Sequence, residues 1–149
     1  MRYGNVNVEK TKENFGVFIS AYWSARDFVK RSMQVTIQEL INEPLADIEN
    51  YSDDSFPRKI DAKEFNYLHQ LYVEGFNCIA IPTSLKNSKE RTERRRNIFH
   101  DSYIVRLRDA ELAEKYSISL ETVKREQGDA IIQFCEYLEI VVIKENEHA

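Results

Sequence analysis

Five residues close together near the C-terminal end of the chain, Ser119, Glu121, Thr122, Lys124 and Arg125, hold the chemistry needed to read a DNA groove. Hydroxyls hydrogen-bond base edges or phosphates, cations bind phosphate or guanine, and a carboxylate accepts from the amino group of cytosine. Helical periodicity turns Glu121, Thr122, Lys124, Arg125 and Gly128 outward. Val123, Ala130, Phe134 and Leu138 are apolar and fall toward an interior. Glu121, Glu126 and Asp129 add acid to this region, so a face for another protein fits these residues as well as a face for DNA.

Such side chains act only if an element holds them out. The stretch 107–142 reads as two helices joined by a tight turn. Asp109 is the expected N-cap of the first helix, and Ser119 that of the second. Tyr116, Ser117 and Ile118 form the turn, with Ile118 folded back as an apolar plug. Ala113 is small where the two helices of a helix-turn-helix cross closely. A unit of this kind lays its second helix in the major groove. Immediately upstream, 86–108 carries eight Lys and Arg against three carboxylates, whereas 32–85 carries nine carboxylates against three bases. A basic block beside a reading helix is a phosphate footprint, and Arg94 and Arg95 are its expected clamps. Without DNA, the same block reads as a solvated helix face paired with Glu90 and Glu93.

The rest of the chain is read as mainly α-helical. Val8 to Arg31 is amphipathic, with Phe15, Phe18, Ile19, Tyr22, Trp23 and Val29 as an apolar stripe for the domain or for a second copy, and Lys12, Arg26 and Lys30 facing solvent. Gln34 to Ile41 is a short helix ending before Pro44, and Asn50 to Pro57 a loop. Ala62 to Glu74 is a helix stopped by Gly75, and Lys86 to His100 a helix capped by Ser88. Ile140 to Ile143 is an extended tail, and Lys144 to Ala149 are frayed. This divides the chain into a helical arm with an acidic linker, 1–60, and a helical domain, 61–149, with its helix-turn-helix at 109–138.

Little else in the sequence offers chemistry. His69, His100 and His148 have no metal-type spacing, and Gly4, Gly16, Gly75 and Gly128 are too scattered for a phosphate loop. No nucleophile elbow occurs, so neither an enzyme, a metal site nor a cofactor is expected. Cys78 and Cys135 read as reduced and structural. With no apolar run of about 20 residues and no signal-peptide core, the expected setting is the cytoplasm, with no membrane. A net charge of −4 argues against a nonspecific nucleic-acid coat.

The segment from Ser117 to Val142 resembles the C-terminal part of the ArpU-type phage regulators. Ile118, Ser119, Thr122, Arg125, Ala130, Phe134, Glu136, Leu138 and Ile140 carry that resemblance without a gap, with Ser117 in place of the family's turn glycine. Val8 to Lys30 is similar to the family's opening helix, and Ile98 to Tyr116 resembles the approach to the turn there and in the fourth region of housekeeping sigma factors. The resemblance implies a sigma-like helix-turn-helix and sequence-specific binding of double-stranded DNA. It further implies activation of late phage or prophage genes through host RNA polymerase, in a bacterial cytoplasm. Because one helix reads few base pairs, a homodimer through the aromatic N-terminal helix is expected. The alternative is a phage-encoded interaction module, an inhibitor or polymerase-binding protein, on the same scaffold.

Overall fold

Phe15, Ile19, Tyr22 and Ala25 recur every three or four residues, and this stripe builds α1, Val8–Phe28, in a computed structural model that describes residues 4–144. The Asn7 side chain caps α1 by accepting from the Lys10 N–H at 3.0 Å. Five more helices follow: α2 Ile37–Ile41, α3 Lys59–Asn77, α4 Ser88–His100, α5 Asp109–Tyr116 and α6 Leu120–Leu138. A π-helical turn, Asp101–Val105, extends α4. No strand forms among the described residues; isolated bridges join Val6 to Ile143 and Ser52 to Arg58. The mainly α reading therefore holds, with α1, α3, α4 and α6 packed around one core.

Phe134 of α6 sits at the centre of that core. Its ring lies 5.5–5.6 Å, centroid to centroid, from Phe15, Phe18, Tyr72 and Phe99, in tilted or edge-on arrangements. Gly75, expected to stop α3, instead lies inside the helix. A Cβ at Gly75 would stand 2.8 Å from the Phe134 ring, so the glycine is what lets α3 reach α6.

Two features of α1 correct the sequence reading. Arg26 does not face solvent but is fully buried, and its guanidinium donates to both Glu43 oxygens at 2.7 and 3.1 Å and to the Ser32 carbonyl. Tyr22, one turn earlier, accepts from Arg26 at 3.2 Å and lies 2.7 Å from His69 Nδ1. Burial raises the Tyr22 hydroxyl to about 12, and burial also lowers His69, with Glu43 opposing and Arg26 and Arg31 adding to the effect. Secondly, the aromatic stripe, open in the sequence to the domain or to a second copy, packs within its own chain, with Phe15, Ile19, Tyr22 and Val29 buried and Phe18 and Trp23 partly so. For the same reason, the division at residue 60 does not mark a break in packing: α1 shares its core with α3 and α6.

The two ends of the described residues meet. Asn7 N–H donates to the Val142 carbonyl at 2.7 Å, and Val142 N–H donates to the Thr11 hydroxyl at 3.0 Å. Residues 140–143 thus run along the start of α1, and Lys144, expected to fray, instead donates its N–H to the Asn5 carbonyl at 2.8 Å, while 145–149 lie outside the described residues. Further corrections are small. Ser88 is the first residue of α4, and the N-cap position falls to Asn87, left-handed and without a side-chain cap hydrogen bond. His100, at the end of α4, is buried with Nε2 2.6 Å from the Val35 carbonyl.

Two outcomes follow from this packing. Gly75→Ala forces a Cβ into a rigid buried ring and lowers stability by about 1–3 kcal/mol, the usual range for overpacking. Gly128→Ala meets open space and raises stability by up to about 1 kcal/mol. Urea melts of both variants check the opposite signs. Both buried histidines are held below their ordinary value of 6.5, chiefly by desolvation. The unfolded chain binds those protons first, so stability is complete above about pH 6.5 and declines as the pH falls through that value. Thermal melts at pH 7.5 and 5.5 give a lower Tm at the acid pH; equal values refute the assignment.

Candidate nucleic-acid interface

The outward side of α6 depends on how the chain enters it. Glu111 closes the start of α5 by accepting from the Arg108 N–H at 3.0 Å. Asp109, expected as that cap, is instead the first helical residue, and its carboxylate accepts from Gln127 Nε2 at 2.9 Å. At the other end of α5, Ser117 turns left-handed with φ 53°, the conformation that favours glycine. Ile118 N–H then donates to the Ala113 carbonyl at 3.0 Å, and the Ile118 side chain is half-buried. Ser119 caps α6 as expected, accepting from Thr122 N–H at 3.0 Å. Its hydroxyl also donates to Thr122 Oγ1 at 2.9 Å. Both hydroxyls are therefore tied into the cap, Ser119 exposed and Thr122 half-buried.

Glu121, Lys124 and Arg125 stand exposed beyond the cap, and no ion pair or hydrogen bond holds their side chains among the described residues. Gly128 continues this side with nothing within 4 Å of the position a Cβ would take. Val123, Ala130 and Phe134 point the other way and are fully buried. Leu138 is only half-buried.

Arg94 and Arg95 lie elsewhere, and this corrects their assignment as phosphate clamps. Both project from α4 toward the inner flank of α6. Arg95 is 7% exposed and donates to Glu126 at 2.5 Å, to Gln133 at 3.2 Å and to Asp129 at 3.3 Å. Arg94 donates to the other Glu126 oxygen at 3.2 Å. Arg96 donates to the Ile79 and Asn77 carbonyls at 2.7 and 3.0 Å and covers the Phe76 ring. The triple arginine is thus internal cement between α4, α6 and the end of α3. Nor, among the described residues, do Glu90 and Glu93 pair with it; its partners are the very acids, Glu126 and Asp129, that looked available to another protein.

The basic block is depleted further, because Arg108 pairs with Glu111 at 3.2 Å and Arg106 lies over the Trp23 ring at 4.3 Å. Lys86, Lys89 and Arg91 stay exposed at the start of α4, and on the outward side of α6 the cations are Lys124 and Arg125, beside the acid Glu121. Sequence reasoning missed Asp109 and Gln127, which join α5 to α6: Gln127 donates to Asp109 and, at 3.0 Å, to Ser102. Asp101 adds a second joint by accepting from Lys115 at 2.8 Å and from the Tyr116 hydroxyl. Among the described residues, no His, Cys, Asp and Glu side chains gather as a metal site, and no helix is long and apolar enough to cross a membrane.

Comparison with protein-family models, curated proteins and solved structures finds no match for this chain.

Removing Arg95 leaves the Glu126 carboxylate buried and stripped of its main partner. Arg95→Ala is expected to lose about 3–5 kcal/mol, the usual cost of breaking a buried pair from one side. Lys124→Ala and Arg125→Ala are expected to stay within about 0.5 kcal/mol of the parent, as surface changes do. Denaturant melts decide it: an Arg95→Ala protein as stable as the parent returns that residue to the surface.

Proposed function

We propose that this chain is a sequence-specific, double-stranded DNA-binding regulator of phage or prophage transcription, similar to the ArpU-type activators of late genes, and not an enzyme. One observation carries the reading: the outward side of α6, reached through a tight left-handed turn, presents Glu121, Lys124 and Arg125 without partners, beside bare backbone at Gly128. A helix that enters a major groove needs such a side, with cations for phosphate or guanine and a carboxylate for cytosine. Ser119 Oγ accepts from the Thr122 N–H and donates to Thr122 Oγ1, so both hydroxyls are engaged in the cap before they meet a base. The absent side chain at Gly128 lets a sugar–phosphate strand approach the helix backbone. Register on the phosphates falls to Lys124 and Arg125, since Arg94 and Arg95 are engaged inside the fold. In this reading the helix pair acts as a sigma-like helix-turn-helix in the cytoplasm of a bacterial host, and contact with host RNA polymerase turns binding into activation.

A second reading, an interaction module on the same scaffold, is favoured by one observation. Leu120, at the start of α6 beside Glu121, is 49% exposed, an apolar side chain on a face that DNA would not reward.

Selection of bound sites from a random duplex pool tests the first reading directly. A DNA reader yields a consensus, and its affinity falls steeply as salt rises. Lys124→Ala with Arg125→Ala lowers the log–log salt slope by about 2, one phosphate contact for each cation. No binding to any duplex at low salt removes this reading and leaves the interaction module.

A further inference from the structure

We propose that the groove between α1 and α6 is a binding site for a small aromatic carboxylate. The groove has a volume of about 510 Å³, within the range of about 300–1,000 Å³ typical of small-ligand sites. Buried Phe15, Ile19 and Ile131 form its floor, and Trp23 and Tyr103 form aromatic walls. Lys12 from α1 and Lys124 from α6 also line it; both are exposed, and neither has an ion-pair partner among the described residues. The one acid in the lining, Asp109, accepts a hydrogen bond from Gln127, also in the lining, and two lysines against one carboxylate leave the groove a net positive charge.

Gly16 adds an independent argument. It sits in the middle of α1 and lines the groove, with nothing within 4 Å of its absent Cβ. A glycine inside a helix costs about 1 kcal/mol relative to alanine, and no neighbour here requires one. The room it leaves is the groove itself. A hydrocarbon would fill the floor and leave two ammonium groups unmatched; an inorganic anion would match them and leave the aromatic walls wet. A flat aromatic body with one carboxylate satisfies both, the ring against Trp23 and Tyr103 and the anion between the lysines.

Lys124 belongs both to this groove and to the outward side of α6. An occupied groove therefore draws one of two cations away from phosphate, a consequence that rests on the DNA-binding reading. The site itself does not, and its test uses no DNA.

Trp23 is the one tryptophan in the chain, and its indole N–H donates to the Tyr103 carbonyl at 2.6 Å. Its single indole resonance in a ¹⁵N–¹H correlation spectrum reports from the groove wall. Titration of the full chain with 2-naphthoate is expected to shift that resonance to saturation, at least about tenfold more tightly than the neutral isostere 2-naphthylmethanol. Lys12→Ala with Lys124→Ala, both exposed and therefore compatible with folding, is expected to abolish the preference for the acid. Gly16→Leu, which fills the groove, is expected to abolish both titrations while the remaining spectrum stays that of the folded protein. An absent or non-saturating shift, equal affinity for the alcohol, or titrations unchanged in both variants overturns the site.

Discussion

The ion-pair seam between α4 and α6 is the constraint on which the rest of the structure depends. Arg95 reaches Glu126, Asp129 and Gln133, positions that repeat along one stripe of α6, while Arg94 takes the second oxygen of Glu126. A buried guanidinium surrounded by such partners adds little net stability compared with a well-packed hydrophobe, but removing either side is costly. Its effect is to fix rotation. With Glu126 and Gln133 turned toward α4 and Phe134 turned toward α1 and α3, only one side of α6 remains free, and that side carries Glu121, Lys124 and Arg125.

Packing behind the seam reinforces the same orientation. Gly75 lets α3 approach closely enough for the Phe134 ring to enter the core. The turn after α4 holds α5 in place, since Asp101 accepts from both Lys115 and Tyr116, and Gln127 bridges Ser102 to Asp109. A core of interlocked rings and buried ion pairs resists sliding, so α6 is presented as a rigid element. Rigidity matters for recognition, because ordering an element at the moment of binding draws on the free energy of association. On the opposite flank of the core, the Arg26–Glu43 pair ties the α2 region to α1 and α3 through Tyr22 and His69.

The local elements were legible in the sequence because their causes are local. Apolar spacing in α1 and α6, the Ser119 cap, the tight turn and the outward position of Lys124 and Arg125 all follow from periodicity and capping chemistry. What escaped was set by residues far along the chain. Arg26 looked solvent-facing, although it continues the stripe of Ile19 and Tyr22, and its burial is made tolerable by Glu43. Gly75 looked like a helix end because its contact, Phe134, is remote in sequence. The arginine run looked like a phosphate footprint because charge alone does not reveal a partner. One signal was present: Glu126 and Gln133 interrupt the apolar side of α6 at helical spacing, and a polar stripe facing inward requires a matching cation elsewhere. Thr11, Tyr22 and Arg26 are buried and hydrogen-bonded, so they speak for the fold and not for a ligand.

The claim that the outward side of α6 meets DNA is tested most directly by asking which surface touches it. A photo-crosslinking residue at Glu121 replaces an exposed acid on that side; one at Val17, 74% exposed on α1, samples another surface. Irradiated with a duplex recovered by selection, the protein carrying the label at 121 is expected to form a covalent DNA adduct, and the one labelled at 17 is not. Adducts from position 17 with none from 121 would contradict the account.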